Sequence, residues 1–260
     1  MASTRIWAAR FSSAALVVAV PALSGAAQAP HQHVSASGEA SLNPRRWERE
    51  APLSRDGKGV AVLVVDMQNF CCHEHGPVVR DLAPEARAHV LQRLRSEVLP
   101  NQLQLLKALS DSHGDIVFTT IESLTMDGRD RSLDYKISGF NVPRGSWGGK
   151  ILQALDPEKW DSMLLTKTSS SPFVSTSIAY VLRNLGVRQL IIVGGLTDQC
   201  VDSAVRDACD EGFLVTLVPD ACYSHSHARH NNALDLVRGY CRMRTTKEVL
   251  EELSAQGPEK

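Results

Sequence analysis

Val60-Ala61-Val62-Leu63-Val64-Val65 offers no polar residue to solvent on either side. A strand's side chains alternate between two faces, so six apolar residues in succession must be covered on both. A parallel sheet sandwiched between helices meets that demand, and a sheet with one wet face does not. The pattern recurs: Asp115–Ile121, Asp161–Thr166, Gln189–Val193 and Phe213–Val218 are further strand-like runs, and Arg242–Arg244 reads as a short edge strand. Between runs the spacing becomes helical. Leu91, Leu94, Val98, Leu99, Leu103, Leu106 and Leu109 recur at threes and fours, with Pro100 expected to kink or divide that helix. Residues 150–156, 175–185, 202–211, 227–239 and a stretch from Thr246 also read as helices. Strands alternating with helices imply βαβ units. The expected fold is α/β: a three-layer αβα domain with a mostly parallel, Rossmann-like sheet of about six strands. A single domain is expected over 58–253, followed by a polar tail, 254–260. The polar stretch 122–149 is too long for a plain connection and is expected to be a functional loop.

The chain's first residues follow different rules. Arg5 and Arg10 precede the apolar run Ala14–Val20, then Pro21, then Ala27-Gln28-Ala29. Residues 1–29 are expected to be a cleavable targeting peptide, and 30–57 a polar linker. The apolar run is too short to span a bilayer, so the mature chain is expected to lack a membrane span. Six cysteines without a CxxC pair form neither a zinc pattern nor a disulfide framework. A reactive thiol is at risk in an oxidising compartment, which favours an organellar address over secretion. A net charge of -1 and 5% aromatics give no footprint for nucleic acid.

Gly194-Gly195-Leu196-Thr197-Asp198-Gln199-Cys200 joins the fourth strand to a helix. A thiol at such a turn meets backbone N–H groups and a helix dipole that favour the thiolate. Cysteines near strand ends are more often small buried hydrophobes, so this one alone decides nothing. Asp66 follows the first strand and Lys167 the third. Singly, Asp66 reads equally as a helix cap and Lys167 as solvated surface. In open α/β sheets, however, ligands bind outside the carboxyl ends of the strands. There the three residues supply a base, a charge stabiliser and a nucleophile.

Three motifs carry a resemblance: Val64-Val65-Asp66-Met67-Gln68-Asn69, Lys167-Thr168-Ser169-Ser170-Ser171-Pro172-Phe173, and Gly194 to Cys200 continuing to Ala208. In that order they resemble the isochorismatase-like cysteine hydrolase superfamily, over about residues 58–253. The resemblance implies that Asp66 takes the thiol proton and returns it to the leaving amine, and that Lys167 stabilises the thiolate. It implies that Cys200 attacks an amide or ureido carbonyl to give a thioester, with the backbone N–H groups of Leu196 and Cys200 as oxyanion hole. It also implies a cis peptide at Gly195-Leu196.

Nicotinamidases of this superfamily carry metal-binding histidines after the second strand. Here the segment is Thr120-Ile121-Glu122-Ser123-Leu124-Thr125, so neither metal nor cofactor is expected. His73 and His75 read as a surface loop, and His225, His227 and His230 as a polar helix start. Gln68, Phe70, Glu122, Phe173 and Gln199 are candidate substrate-binding residues. The expected partners are a small amide or ureido substrate and further copies of the same chain. Isochorismate-type vinyl ether hydrolysis stays open, as does a non-catalytic binding or scaffold role. A thiol redox role would need Cys222 as resolving partner.

Overall fold

The computed structural model describes residues 46–254. Six strands form one parallel sheet: β1 Val60–Val65, β2 Asp115–Ile121, β3 Ser162–Lys167, β4 Gln189–Gly195, β5 Leu214–Tyr223 and β6 Arg242–Met243. Their order is β3-β2-β1-β4-β5-β6, with every neighbouring pair parallel. All six residues of β1 are fully buried, as a continuous apolar run at the centre of a covered sheet must be. Helices lie on both faces. One layer holds the helical stretch 84–111 and the last helix, Thr246–Ser254, which pack together; the other holds Asp202–Asp210 with Pro172–Ser175 and His227–Val237.

The chain moves outward from β1 to β2 and β3, then returns to the other side of β1 for β4, β5 and β6. The crevice between the carboxyl ends of β1 and β4 is thus a topological switch point, where such sheets bind ligands. Val65 of β1 pairs with Gly194 of β4 and with Thr119 of β2, so the segments leaving these strands start at one level.

Several expected elements differ. Pro100 does not divide the helix: Pro84–Arg93 passes through a wide π turn, Leu94–Val98, into Leu99–Asp111. The turn absorbs the hydrogen bond that a proline nitrogen cannot make. Residues 150–156 are not helical. Asn69 N–H donates to Lys150 O and Leu152 N–H to Met67 O, which draws this segment into extended pairing with the chain leaving β1. β5 runs on to Tyr223, beyond Asp220. Its register shifts against β4 around Pro219, and the freed carbonyls of Pro219, Asp220, Ala221 and Cys222 accept from Arg93, Asn101 and Gln102.

The expected targeting peptide, 1–29, lies outside the described residues. The second half of the expected linker is anchored: Leu53 is buried, its N–H donates to Glu252, and Ser54 N–H donates to Gln189. Among the described residues no helix is long and apolar enough to cross a membrane.

Candidate active site

Asp66 is the first residue past β1, and its φ of 52° lies in the left-handed region. Aspartate tolerates this better than most residues, and the reversal carries its carboxylate off the strand line into the switch-point crevice. Asp66 N–H still donates to Thr119 O, and Thr119 Oγ1 donates to Asp66 Oδ1 at 2.9 Å. Lys167 ends β3. Its ammonium reaches past the end of β2 and lies 2.8 Å from Asp66 Oδ2, with both side chains at most 1% exposed. That contact is close enough for an ion pair but off the line of a hydrogen bond, which leaves a lone pair on Oδ2 unused. Lys167 Nζ also donates to Ser169 O at 2.9 Å and to Cys200 Sγ at 3.5 Å.

Cys200 sits in a π turn, Thr197–Val201, that leads into the helix Asp202–Asp210. The turn is closed by Gln199 and Val201 N–H groups donating to Leu196 O, and the Gly195-Leu196 peptide is cis. β1, β3 and β4 thus bring Asp66, Lys167 and Cys200 into contact.

The sequence did not point to Tyr135. It lies on a helix, Leu133–Ile137, inside the stretch expected as a long loop, with Ser132 as N-cap accepting from Tyr135 N–H. Its hydroxyl oxygen accepts from Lys167 Nζ at 3.2 Å and stands 3.7 Å from Cys200 Sγ. A lysine ammonium has no lone pair, so the Tyr135 proton is free to face the sulfur. The one available signal was an aromatic residue three positions after the serine of a serine–leucine helix start in an otherwise polar segment.

The electrostatics follow from dryness. Burial pushes the Cys200 thiol up to about 12; Lys167 lowers it and Asp66 raises it further. The upward direction runs against the expectation that the turn by itself favours the thiolate, because burial outweighs Lys167 here. For Lys167 burial opposes the charge, but Asp66, Cys200 and Tyr135 outweigh it and hold the ammonium charged. Burial and Cys200 hold the Tyr135 hydroxyl above an ordinary phenol.

A cavity of about 50 Å³ opens over Cys200 and Asp66, walled by Phe70, Ile121, Phe140, Gln199, Tyr223 and His225. Of the candidate binding residues, Phe70 and Gln199 line it. Gln68 does not. Its amide donates to Ile121 O and Gly148 O and accepts from Ile121 N–H, clamping the end of β2 to the 147–149 turn. Glu122 accepts from Gly145 N–H and faces a separate cleft, so it pins the loop. Phe173 packs on Phe213, 6.0 Å between ring centroids, away from the cavity. The histidines after β5 are more than a polar helix start: His225 lines the cavity, and His230 is buried with Nδ1 2.8 Å from Thr197 Oγ1. Cys222 is buried in β5 opposite Gly194.

Residues 60–248 match the family described as isochorismatase domain. The chain is 34% identical over 88 residues to ureidoacrylate amidohydrolase RutB of Agrobacterium fabrum, a match covering 34% of this chain and 38% of that one. Its fold is similar to that of a cysteine hydrolase from Pseudomonas syringae (TM-score 0.67, 21% identity, 78% of this chain and 95% of that chain). It is similar as well to N-carbamoylsarcosine amidase from Thermoplasma acidophilum (TM-score 0.57, 21% identity, 72% and 96%).

Proposed function

The chain belongs to the isochorismatase family, and from that premise we propose that it is a cysteine-dependent hydrolase of a small amide or ureido compound. The observation that carries this reading is the buried contact set of Asp66, Lys167 and Cys200 at the switch-point crevice. The similarity to an amidohydrolase supports the choice of a C–N bond.

The chemistry follows from charge conservation inside a dry site. Ionising Cys200 alone would leave a net negative charge without water, hence the high thiol pKa. Moving the proton from Sγ to Asp66 Oδ2 instead keeps the three-residue cluster neutral before and after. Lys167 touches both proton donor and acceptor, so its charge is present throughout. Proton transfer is therefore coupled to attack, with no standing thiolate needed.

Sγ bonds to the substrate carbonyl carbon as its proton passes to Asp66. The oxyanion takes the backbone N–H groups of Leu196 and Cys200. The C–N bond then breaks, and Asp66 returns the proton to the departing nitrogen, leaving a thioester. Water attacks that carbonyl, giving its proton to Asp66; the C–S bond breaks and the thiol is restored. Tyr135 donates to the sulfur whenever it carries negative charge.

Incubation with a panel of small amides and ureides should release ammonia or amine and leave an acyl adduct on Cys200, detected by mass spectrometry. Cys200→Ala should abolish release with an unchanged circular dichroism spectrum. Full activity in that variant overturns the reading, as does pyruvate release from isochorismate with none of the panel turned over.

A further inference from the structure

His225 lies between the end of β5 and the helix His227–Val237, on the wall of the cavity over Cys200. Its two ring nitrogens have different surroundings. Arg229 Nη1 stands 3.4 Å from Nδ1, and a guanidinium can only donate. Nδ1 is therefore the acceptor, and the neutral ring must carry its proton on Nε2. Burial, then Arg229, hold His225 below an ordinary histidine while Asp198 opposes them, which agrees with an uncharged ring. Nε2 is buried and has no hydrogen-bond partner among the described residues.

The nucleophile turn itself holds this arrangement. Asp198, two residues before Cys200, accepts from Ser224 Oγ and from Arg229 Nε, both at 2.5 Å. The group that sets the His225 tautomer is thus fixed to the segment that presents the sulfur. A buried N–H without an acceptor forfeits its hydration with nothing in return, and such groups call for a partner. His225 borders the cavity over Cys200, where a bound substrate can supply that partner.

We propose that the substrate carries, besides the carbonyl that Cys200 attacks, a second oxygen acceptor that takes the His225 Nε2–H. This rests on the hydrolase reading for the identity of the first carbonyl. Asp198 neutralises Arg229, so recognition is by hydrogen bond and a neutral carbonyl serves as well as a carboxylate. With a cavity of about 50 Å³, the second oxygen sits only a few bonds from the reacting carbon.

The test compares N-carbamoylglycine, its neutral amide, and propylurea, which lacks the second acceptor. Affinities are measured by calorimetry on Cys200→Ala protein, and kcat/KM on protein with Cys200 intact. With His225→Phe the preference for the two acceptor-bearing ureas over propylurea should fall about tenfold, and His225→Gln should keep part of it. On Cys200→Ala protein with His225 intact, the 15N signal of Nε2 should shift on adding N-carbamoylglycine. Equal preference with Phe or His at 225, or no shift at Nε2, overturns the inference. Hydrolysis without any dependence on His225 removes it and leaves the hydrolase reading standing. His225-dependent affinity without hydrolysis does the reverse.

Discussion

Gly195 rests on the ring of Tyr223: a Cβ at position 195 would lie 2.0 Å from Cε1 of that ring. Tyr223 is fully buried, and its hydroxyl donates to Cys71 O at 3.1 Å and contacts Cys72 Sγ at the same distance. The ring therefore joins β5 to the segment after Asp66, and the turn carrying Cys200 is seated on it. Because the ring cannot retreat, Gly195→Ala must shift the turn. Overpacking of this kind costs about 1–3 kcal/mol. Urea unfolding should show that loss, and hydrolysis should fall by more than the stability change explains. Unchanged activity would mean that the turn's placement tolerates displacement.

Asp66 and Lys167 stabilise each other only as a pair. Removing one partner of a buried ion pair leaves an uncompensated charge and costs about 3–5 kcal/mol, whereas replacing both is far milder. Lys167→Met alone should therefore destabilise the fold more than Lys167→Met combined with Asp66→Asn, which keeps a residue suited to the left-handed backbone at 66. A double-mutant cycle in chemical denaturation measures this, and additive losses would contradict it. All three variants should lack hydrolysis.

Much of this was readable in the chain. The apolar run Val60–Val65 dictated a covered parallel sheet, with Asp66 and Lys167 at the ends of β1 and β3 and Cys200 in the turn after β4. Side chains whose partners lie far along the chain were not readable. Gln68 looked like a pocket residue because it follows Asp66, but its amide is consumed by the backbone of residues 121 and 148. Tyr135 was hidden because only the folded path of 122–149 brings it 3.2 Å from Lys167. His225 was hidden too, since its place on the cavity wall depends on the extension of β5 past Asp220.

Tyr135→Phe isolates the hydroxyl that faces the sulfur. The hydroxyl's bond to Cys200 matters most when sulfur bears charge, and bonds to charged groups contribute about 1.5–3 kcal/mol. The expected loss is roughly tenfold to a hundredfold in kcat with KM little changed. Iodoacetamide alkylation of Cys200, followed by mass spectrometry, should slow in the same variant. In the parent protein that alkylation should climb with pH beyond the ordinary cysteine range, because burial holds the thiol near 12. A plateau below pH 9 would contradict the raised thiol, and an unaltered rate in Tyr135→Phe would remove Tyr135 from the chemistry.

Acid stability should report on His230. Burial, then Arg93, His227 and His89, bring this histidine from 6.5 down to about 4, while Asp198 opposes them. Between those values the unfolded chain binds a proton that the folded chain does not, so unfolding free energy decreases as pH falls from 6.5 to 4. Its contribution is fully present above 6.5 and levels off below 4. His230→Asn should flatten that slope in urea titrations at pH 7, 5.5 and 4. A residual slope should persist from His89 and His225, both also held below an ordinary histidine by burial. Because Thr197 Oγ1 contacts His230 Nδ1, protonation also loosens the turn that carries Cys200. Activity should therefore decline on the acid side before the protein unfolds, and identical pH profiles for the parent and His230→Asn would contradict that coupling.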